Sequence, residues 1–296
     1  MRKKEIINNY INHIEIYKRK NLSSLYKETR MVLKLNECLE AYNIEDIQSF
    51  DSELFYHVIR WYRNYTKSKN STINKNLKLL ERIFKFNDLD ITHKLKKLPD
   101  DTLPFEPIQE SKLKKILNYL NNLDIEYKNN QAYQLAFYML LDTGCRASEL
   151  LEIKTKNINL SNNTILLEYT KNGSKDYVFF TKFSHNKIKQ LIDRNLGIST
   201  EYLFYNFDKK RKMNVDDLNF FVRKIKEDLK LNKLHLHQFR KTLATTLHDN
   251  GVDIFDIKEI LRHKTLEMTN IYVRSSVKRI KNKYDEAATW YEKEKK

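Results

Sequence analysis

A chain of 296 residues exceeds what one ordinary hydrophobic core organises and gives room for two domains. Its 55 basic against 39 acidic side chains leave a formal net charge of +16, a surplus that favours a polyanionic partner. Apolar runs stay well short of a membrane span, the N-terminus shows no signal-peptide core, and two cysteines cannot build a disulfide framework, so membrane and disulfide-stapled classes are set aside and the chain reads as cytoplasmic.

With 4 glycines and 3 prolines, the composition argues against an all-β fold and for long helices with short connections. Ile7, Tyr10, Ile11, Ile14 and Tyr17 recur at helical spacing, as do Leu25, Val32, Leu39 and Tyr42. Phe55, Val58, Tyr62 and Tyr65 mark a third helix, and Ile73, Leu77, Leu80 and Phe84 a fourth, with Asp51 and Ser71 as expected N-caps. From about residue 88 to 108 the periodicity lapses, and Pro99, Pro104 and Pro107 all fall there. The expected organisation is a helical domain over 1–95, a linker over 96–108 and a second domain from 109.

The second domain opens with expected helices at 110–122 and 128–142. Ile165 to Tyr169 and Tyr177 to Thr181 then form two short strands joined by the turn Lys171-Asn-Gly-Ser-Lys175. Helices return at 184–194, 214–230, 237–249 and 254–262. Residues 276–296 make a charged helical tail with one narrow stripe at Ile280, Tyr284, Ala287 and Tyr291. The fold class expected is mainly α with a small antiparallel β-sheet.

Positive charge is spread over both parts. Residues 1–100 hold 20 basic and 13 acidic side chains, and the remainder carries the other +9. Between Glu53 and Glu81 there is no acid, while Arg60, Arg63, Lys67, Lys69, Lys75 and Lys78 all fall there, with Trp61, Tyr62 and Tyr65 interleaved. These six cations are the candidate phosphate-contacting surface. An ordinary solvated helix face is the competing reading.

For chemistry, no His-Glu-x-x-His, Cys-x-x-Cys or acid-rich constellation appears, which disfavours metal-dependent nucleases and transposases. Cationic and imidazole residues appear instead. Arg146 follows Thr143-Gly144-Cys145 and begins a helix, with Glu149 three residues on and able to hold its guanidinium. His237 and Arg240 stand at i and i+3 near a helix start, hence on one face. His263 ends a helix, and Tyr272 follows nine residues later. In one unbroken helix that spacing is about two and a half turns and places the two on opposite faces. They can converge only if the helix stops and restarts, which Lys264-Thr265 permits, with Thr265 as the next N-cap. Taken singly none of these is informative; the chain has 18 tyrosines.

In order, however, Leu141-Asp-Thr-Gly-Cys-Arg146-Ala-Ser-Glu149, His237-Gln-Phe-Arg240, Leu261-Arg-His263 and Thr269-Asn-Ile-Tyr272 resemble the tyrosine recombinase (phage integrase) family over roughly residues 108–275. Residues 1–95 resemble its helical core-binding domain in pattern alone. The resemblance implies that Arg146 and Arg240 clamp the scissile phosphate, that His263 donates a further hydrogen bond to it, and that His237 assists proton transfer. It implies Tyr272 as nucleophile and Lys171 as general acid for the departing 5′ oxygen, with Lys175 as the rival for that role. Glu149 would orient Arg146. Lys241 stands where the family often has a second histidine, and Arg262 where glycine is common; neither is needed for that chemistry.

The function implied is site-specific cleavage and rejoining of double-stranded DNA at core sites through a covalent 3′-phosphotyrosine, for integration, excision or resolution by a mobile element. Two duplexes with two cuts each imply a homo-tetramer, with 276–296 as the segment that docks on a neighbour; no cofactor or metal is called for. With the helical pattern beginning near residue 5, the arm-binding domain carried by many phage integrases is expected to be absent, as in simpler Xer-like enzymes. The rival readings are a type IB topoisomerase-like relaxing enzyme, a telomere resolvase and a catalytically silent DNA-binding protein.

Overall fold

The computed structural model describes residues 2–18, 22–45, 47, 51–91, 97–99, 106–168, 175–266 and 269. By compactness the chain divides between Leu103 and Pro104 into two units.

The first unit holds four described helices, α1 (Lys3–Lys18), α2 (Leu22–Ala41), α3 (Ser52–Asn64) and α4 (Asn70–Phe86). Their cores are built from the apolar positions at helical spacing: Ile7, Tyr10 and Ile14, then Val32 and Leu39, then Phe55, Val58 and Tyr62, then Ile73, Leu77, Leu80 and Phe84 are all buried, whereas Tyr17 and Tyr65, at the ends of their stripes, are exposed. Cys38 joins them, and burial pushes its thiol up to about 12, so it packs as an inert apolar group. Asp51 caps α3 by accepting the Leu54 N–H at 2.9 Å. Ser71 does not cap α4. The helix starts two residues earlier than that cap would place it, because the carbonyl of extended Lys69 already accepts the N–H groups of Thr72 and Ile73. Beyond α4, Asn74 holds the chain at Leu98, donating to its carbonyl at 3.0 Å and accepting its N–H at 2.9 Å.

The second unit is built around a central helix, α6 (Lys128–Thr143), which follows α5 (Glu110–Asn121). Residues 132–140 of α6 are buried on every side, as a helix enclosed by its neighbours must be. A short α7 (Ala147–Leu150) leads into a three-stranded antiparallel sheet of β1 (Ile158–Asn159), β2 (Thr164–Leu167) and β3 (Asp176–Phe179), in that order, with Ile165 opposite Val178. Then come α8 (Lys182–Arg194), a hairpin of β4 (Tyr205–Asn206) and β5 (Arg211–Lys212), α9 (Val215–Asp228), α10 (Leu236–Asp249) and α11 (Ile254–Leu261). Strands β1, β4 and β5 were not foreseen, since two residues carry no readable alternation. The β4–β5 hairpin is anchored by Asp217, a buried carboxylate that accepts from Arg211 at 2.8 Å and Lys209 at 2.7 Å and also takes part in the α9 capping box.

The segment entering this unit is tied to α10. Ile108 donates its N–H to the Thr242 hydroxyl at 2.9 Å, and Gln238 donates to the Glu106 carbonyl at 3.2 Å. None of the described helices is long and apolar enough to cross a membrane.

Candidate active site

Three connections of the second unit converge at one place. Helix α6 ends on Gly144, whose left-handed backbone (φ 62°) turns the chain so that Arg146 becomes the N-cap of α7. Helix α10 carries His237 in its first turn and Arg240 one turn on. Helix α11 ends on Arg262, also left-handed (φ 55°, ψ 50°), and His263 follows.

Arg240 joins these connections. Its side chain is almost fully buried, and its two terminal nitrogens donate to the carbonyls of Gly144 and Leu261. Those carbonyls belong to the turn before Arg146 and the turn before His263, so one guanidinium sets both. Carbonyl oxygens orient the group while leaving its charge to act on an entering anion.

Glu149 holds Arg146, as expected. Its carboxylate accepts Arg146 Nη1 at 2.6 Å and the Arg146 backbone N–H at 3.1 Å, closing a capping box on α7. Burial alone would raise its pKa, but the bonds from Arg146 and the charge of Arg262 prevail and hold the carboxyl below its usual range. Arg262 reaches the same carboxylate across 113 residues, Nη2 to Oε2 at 3.0 Å. A side chain at a position where glycine suffices thus sits inside the site. Nothing near it in sequence signals that contact.

His263 is buried, and its ring nitrogen Nδ1 lies 2.8 Å from the hydroxyl of Thr269, itself fully buried. Burial first, and then the positive charges of Arg240, Arg146, His237 and Arg262, push the imidazole down to about 3. The ring is therefore neutral near neutral pH. A neutral ring donates from Nε2 when the Thr269 hydroxyl donates to Nδ1, which is the tautomer a phosphate would require. Thr269 opens the sequence motif that ends on Tyr272 but was given no role there; its place six residues after His263 was the available signal.

The helix does stop where the spacing demanded. Leu261 is its last residue, Arg262 to Thr265 are non-helical, and Leu266 and Thr269 are helical again. Thr265 stands directly before that restart. Tyr272 and Lys171, and the 276–296 tail, lie outside the described residues. Lys175 is exposed and directly precedes β3. Lys241 is buried, and burial pulls its ammonium below the usual range against the opposing pull of Glu106. His237 is exposed at the start of α10, close enough for its charge to act on His263.

The six candidate DNA-binding cations lie in the first unit. Arg60, Arg63, Lys67, Lys69, Lys75 and Lys78 are all exposed. Trp61 and Tyr62 are not part of that surface: both are buried, and the Tyr62 hydroxyl donates to Asn76 at 2.8 Å. Their alternation with charge is that of an amphipathic helix. Tyr65 alone of the three is exposed. Among the described residues no cluster of histidine, cysteine or carboxylate could hold a metal ion.

Relatives share this arrangement of sequence and fold. A probable integrase/recombinase of Acholeplasma phage L2 is 33% identical over 266 residues, covering 88% of this chain and 90% of the phage protein. Tyrosine recombinase XerC of Bacillus pumilus (strain SAFR-032) is 25% identical and covers 95% of both chains. Among solved structures, the Tn1549 transposon integrase in complex with a circular intermediate DNA superposes with a TM-score of 0.76 over 95% of this chain and 99% of that one, at 18% identity. XerH bound to a palindromic difH substrate gives 0.73 over 92% and 80%, at 22% identity. At such identities the structures speak for the fold. The model of the phage integrase family matches residues 106–279, the stretch that contains every turn converging on Arg240, and with the phage relative it shows that the chain belongs to the phage integrase family of tyrosine recombinases.

Proposed function

We propose that Arg146, Arg240, His237 and His263, together with Lys171 and Tyr272, form the centre at which this recombinase breaks and rejoins double-stranded DNA. The observation that carries the assignment is the pair of hydrogen bonds that Arg240 donates to the Gly144 and Leu261 carbonyls, which gathers residues 96 and 21 positions apart around one cationic pocket. Such a pocket stabilises the charge that builds on non-bridging oxygens when a phosphorus is attacked.

The Tyr272 phenolic oxygen gives up its proton to His237 and bonds to phosphorus as the bond to the 5′ oxygen breaks; that oxygen takes a proton from Lys171, with Lys175 the alternative donor. The product is a 3′-phosphotyrosine. A 5′ hydroxyl of a second duplex then attacks the ester, and the tyrosine leaves with its proton restored. The ester conserves the bond, so the exchange draws on neither nucleotide hydrolysis nor a metal ion. Arg146 and neutral His263 contact the phosphate, and Glu149 orients Arg146.

In this reading residues 1–95 form the core-binding domain, 96–108 the linker and 109–275 the catalytic domain. Arg60, Arg63, Lys67, Lys69, Lys75 and Lys78 contact the DNA backbone. Four copies assemble on two sites, with 276–296 docking on a neighbour, and the reaction serves integration, excision or resolution by a mobile element in the cytoplasm. The Tn1549 integrase and XerH, both solved with DNA, support the choice of partner.

The test is a nicked duplex carrying a site selected from random sequence by binding to the wild-type chain. After denaturation the wild type is expected to remain covalently on the DNA and Tyr272→Phe to release it. An adduct with Tyr272→Phe, or none with wild type, sinks the assignment.

A further inference from the structure

We propose that Arg262 is a positioning residue for strand cleavage: by holding Glu149 from across the fold, it sets the guanidinium of Arg146 toward the phosphate. The inference rests on the reading of Arg146 as a phosphate ligand.

The turn at Arg262 does not need an arginine. Its backbone is left-handed, a conformation glycine adopts freely and a residue with a Cβ resists. The hydrogen bonds that close the turn, Arg262 N–H to the Glu259 carbonyl at 2.9 Å and His263 N–H to the Lys258 carbonyl at 3.0 Å, are both backbone bonds that glycine would keep. What the side chain adds lies elsewhere. Nη1 donates to the Ile260 carbonyl at 3.2 Å, fixing the guanidinium plane, and Nη2 donates to Glu149 Oε2 at 3.0 Å. Both side chains are sealed from solvent, at 5% and 2% exposure.

Glu149 needs that second support. It sits on α7, a helix of four residues that offers little rigidity of its own. Its Oε1 is committed to Arg146 Nη1, and its Oε2 is shared between the Arg146 N–H and Arg262. Among the described residues Arg262 is the one side chain that fixes the carboxylate from outside the Arg146 turn. Without it, Glu149 and Arg146 move together, and a buried carboxylate that follows its partner cannot aim it. The Arg146 side chain is the least sealed member of the triad, at 18% exposure. Because Arg262 immediately precedes His263, the same link sets the spacing between two of the phosphate ligands.

The test compares full-length wild type, Arg262→Gly, Arg262→Lys and Arg146→Ala on the nicked duplex, once with an ordinary scissile phosphate and once with an uncharged methylphosphonate there. Arg262→Gly is expected to bind DNA as wild type does and to form the covalent adduct about 10- to 100-fold more slowly, the scale of a catalytic group misplaced by an ångström or less. Arg262→Lys, which keeps one charged donor for Glu149, recovers part of the rate. On the methylphosphonate the defects of Arg146→Ala and Arg262→Gly both shrink, because there is less charge for Arg146 to stabilise; loss of packing alone would not follow substrate charge.

Wild-type cleavage by Arg262→Gly overturns the proposal, as does a defect that persists undiminished on methylphosphonate while that of Arg146→Ala is relieved. If Arg146→Ala itself shows no defect, the phosphate-ligand reading fails instead. Should Arg262→Gly unfold at the assay temperature, Arg262→Lys decides by the same two-substrate comparison.

Discussion

Alanine at Gly144 perturbs the turn to which Arg240 is bonded. Gly144 has φ +62°, and a Cβ there would stand 2.7 Å from Leu261 Cδ2 and 2.9 Å from Leu243 Cδ2. Left-handed backbone costs an L-residue about 1–2 kcal/mol. Crowding a packed site adds about 1–3 kcal/mol, and fully buried Leu261 has little open space into which to turn. The two effects together reach about 2–5 kcal/mol, and for a unit of this size each kcal/mol shifts the unfolding midpoint by roughly 2–4 °C. Thermal unfolding of Gly144→Ala, followed by circular dichroism on the full chain, should therefore show the second unit melting at least roughly 4 °C lower. Gly197→Ala is the control. It too has a positive φ (+83°) but open space around the added carbon, so it isolates the backbone cost. Adduct formation by Gly144→Ala should fall further than its unfolded fraction explains, since the carbonyl that orients Arg240 moves with the turn. A melting point equal to wild type, or equal losses for the two alanines, refutes the crowding at Leu261.

Two further outcomes follow from the site and the basic face. Because His263 is held neutral down to about pH 3 in the folded chain but takes up a proton near pH 6.5 when unfolded, its contribution is complete above pH 6.5 and is lost as pH falls below it. Unfolding free energies from denaturant titrations should fall by up to about 1.4 kcal/mol per pH unit from about pH 7 down to about pH 5 on this account, and His263→Gln should flatten that decline; an unchanged slope speaks against a buried neutral ring. Exposed Lys75 and Lys78 on α4 are expected to neutralise backbone phosphates, so replacing both by alanine should reduce the slope of log affinity on log salt by about 1.8 without changing site preference. An unaltered slope would remove them from the interface.

Much of the helical framework could be read from local spacing, because each helix of the first unit buries one stripe. Phe55, Val58 and Tyr62 illustrate this: their period of three to four places all three in the core. What misled was reading the alternation of charge and aromatics as one surface, since Trp61 and Tyr62 serve packing while Arg60 and Arg63 serve the surface. The break after Leu261 was legible from the requirement that His263 and Tyr272 converge. What was not legible depends on partners far away in the chain. Arg262 stands in the sequence as a departure without a task until its carboxylate, 113 residues upstream, is brought against it, and Thr269 is a motif residue without a partner until it meets His263. The β4–β5 hairpin is likewise held by a side chain on the next helix, Asp217, and not by its own two-residue strands.

The reach of the bonds around Arg240 also bears on how the molecule comes into being. Helices of the second unit draw on neighbours along the chain and can form early, whereas the links from Arg240 to Gly144, Arg262 to Glu149 and Ile108 to Thr242 close loops of 96, 113 and 134 residues. Contacts of that span are the slow ones, because chain entropy is surrendered before they repay it. The second unit should therefore fold more slowly than its helix content implies. A chain caught partway would carry most of its helices and no assembled cationic pocket, which makes the power to cut DNA one of the last properties the folding molecule acquires.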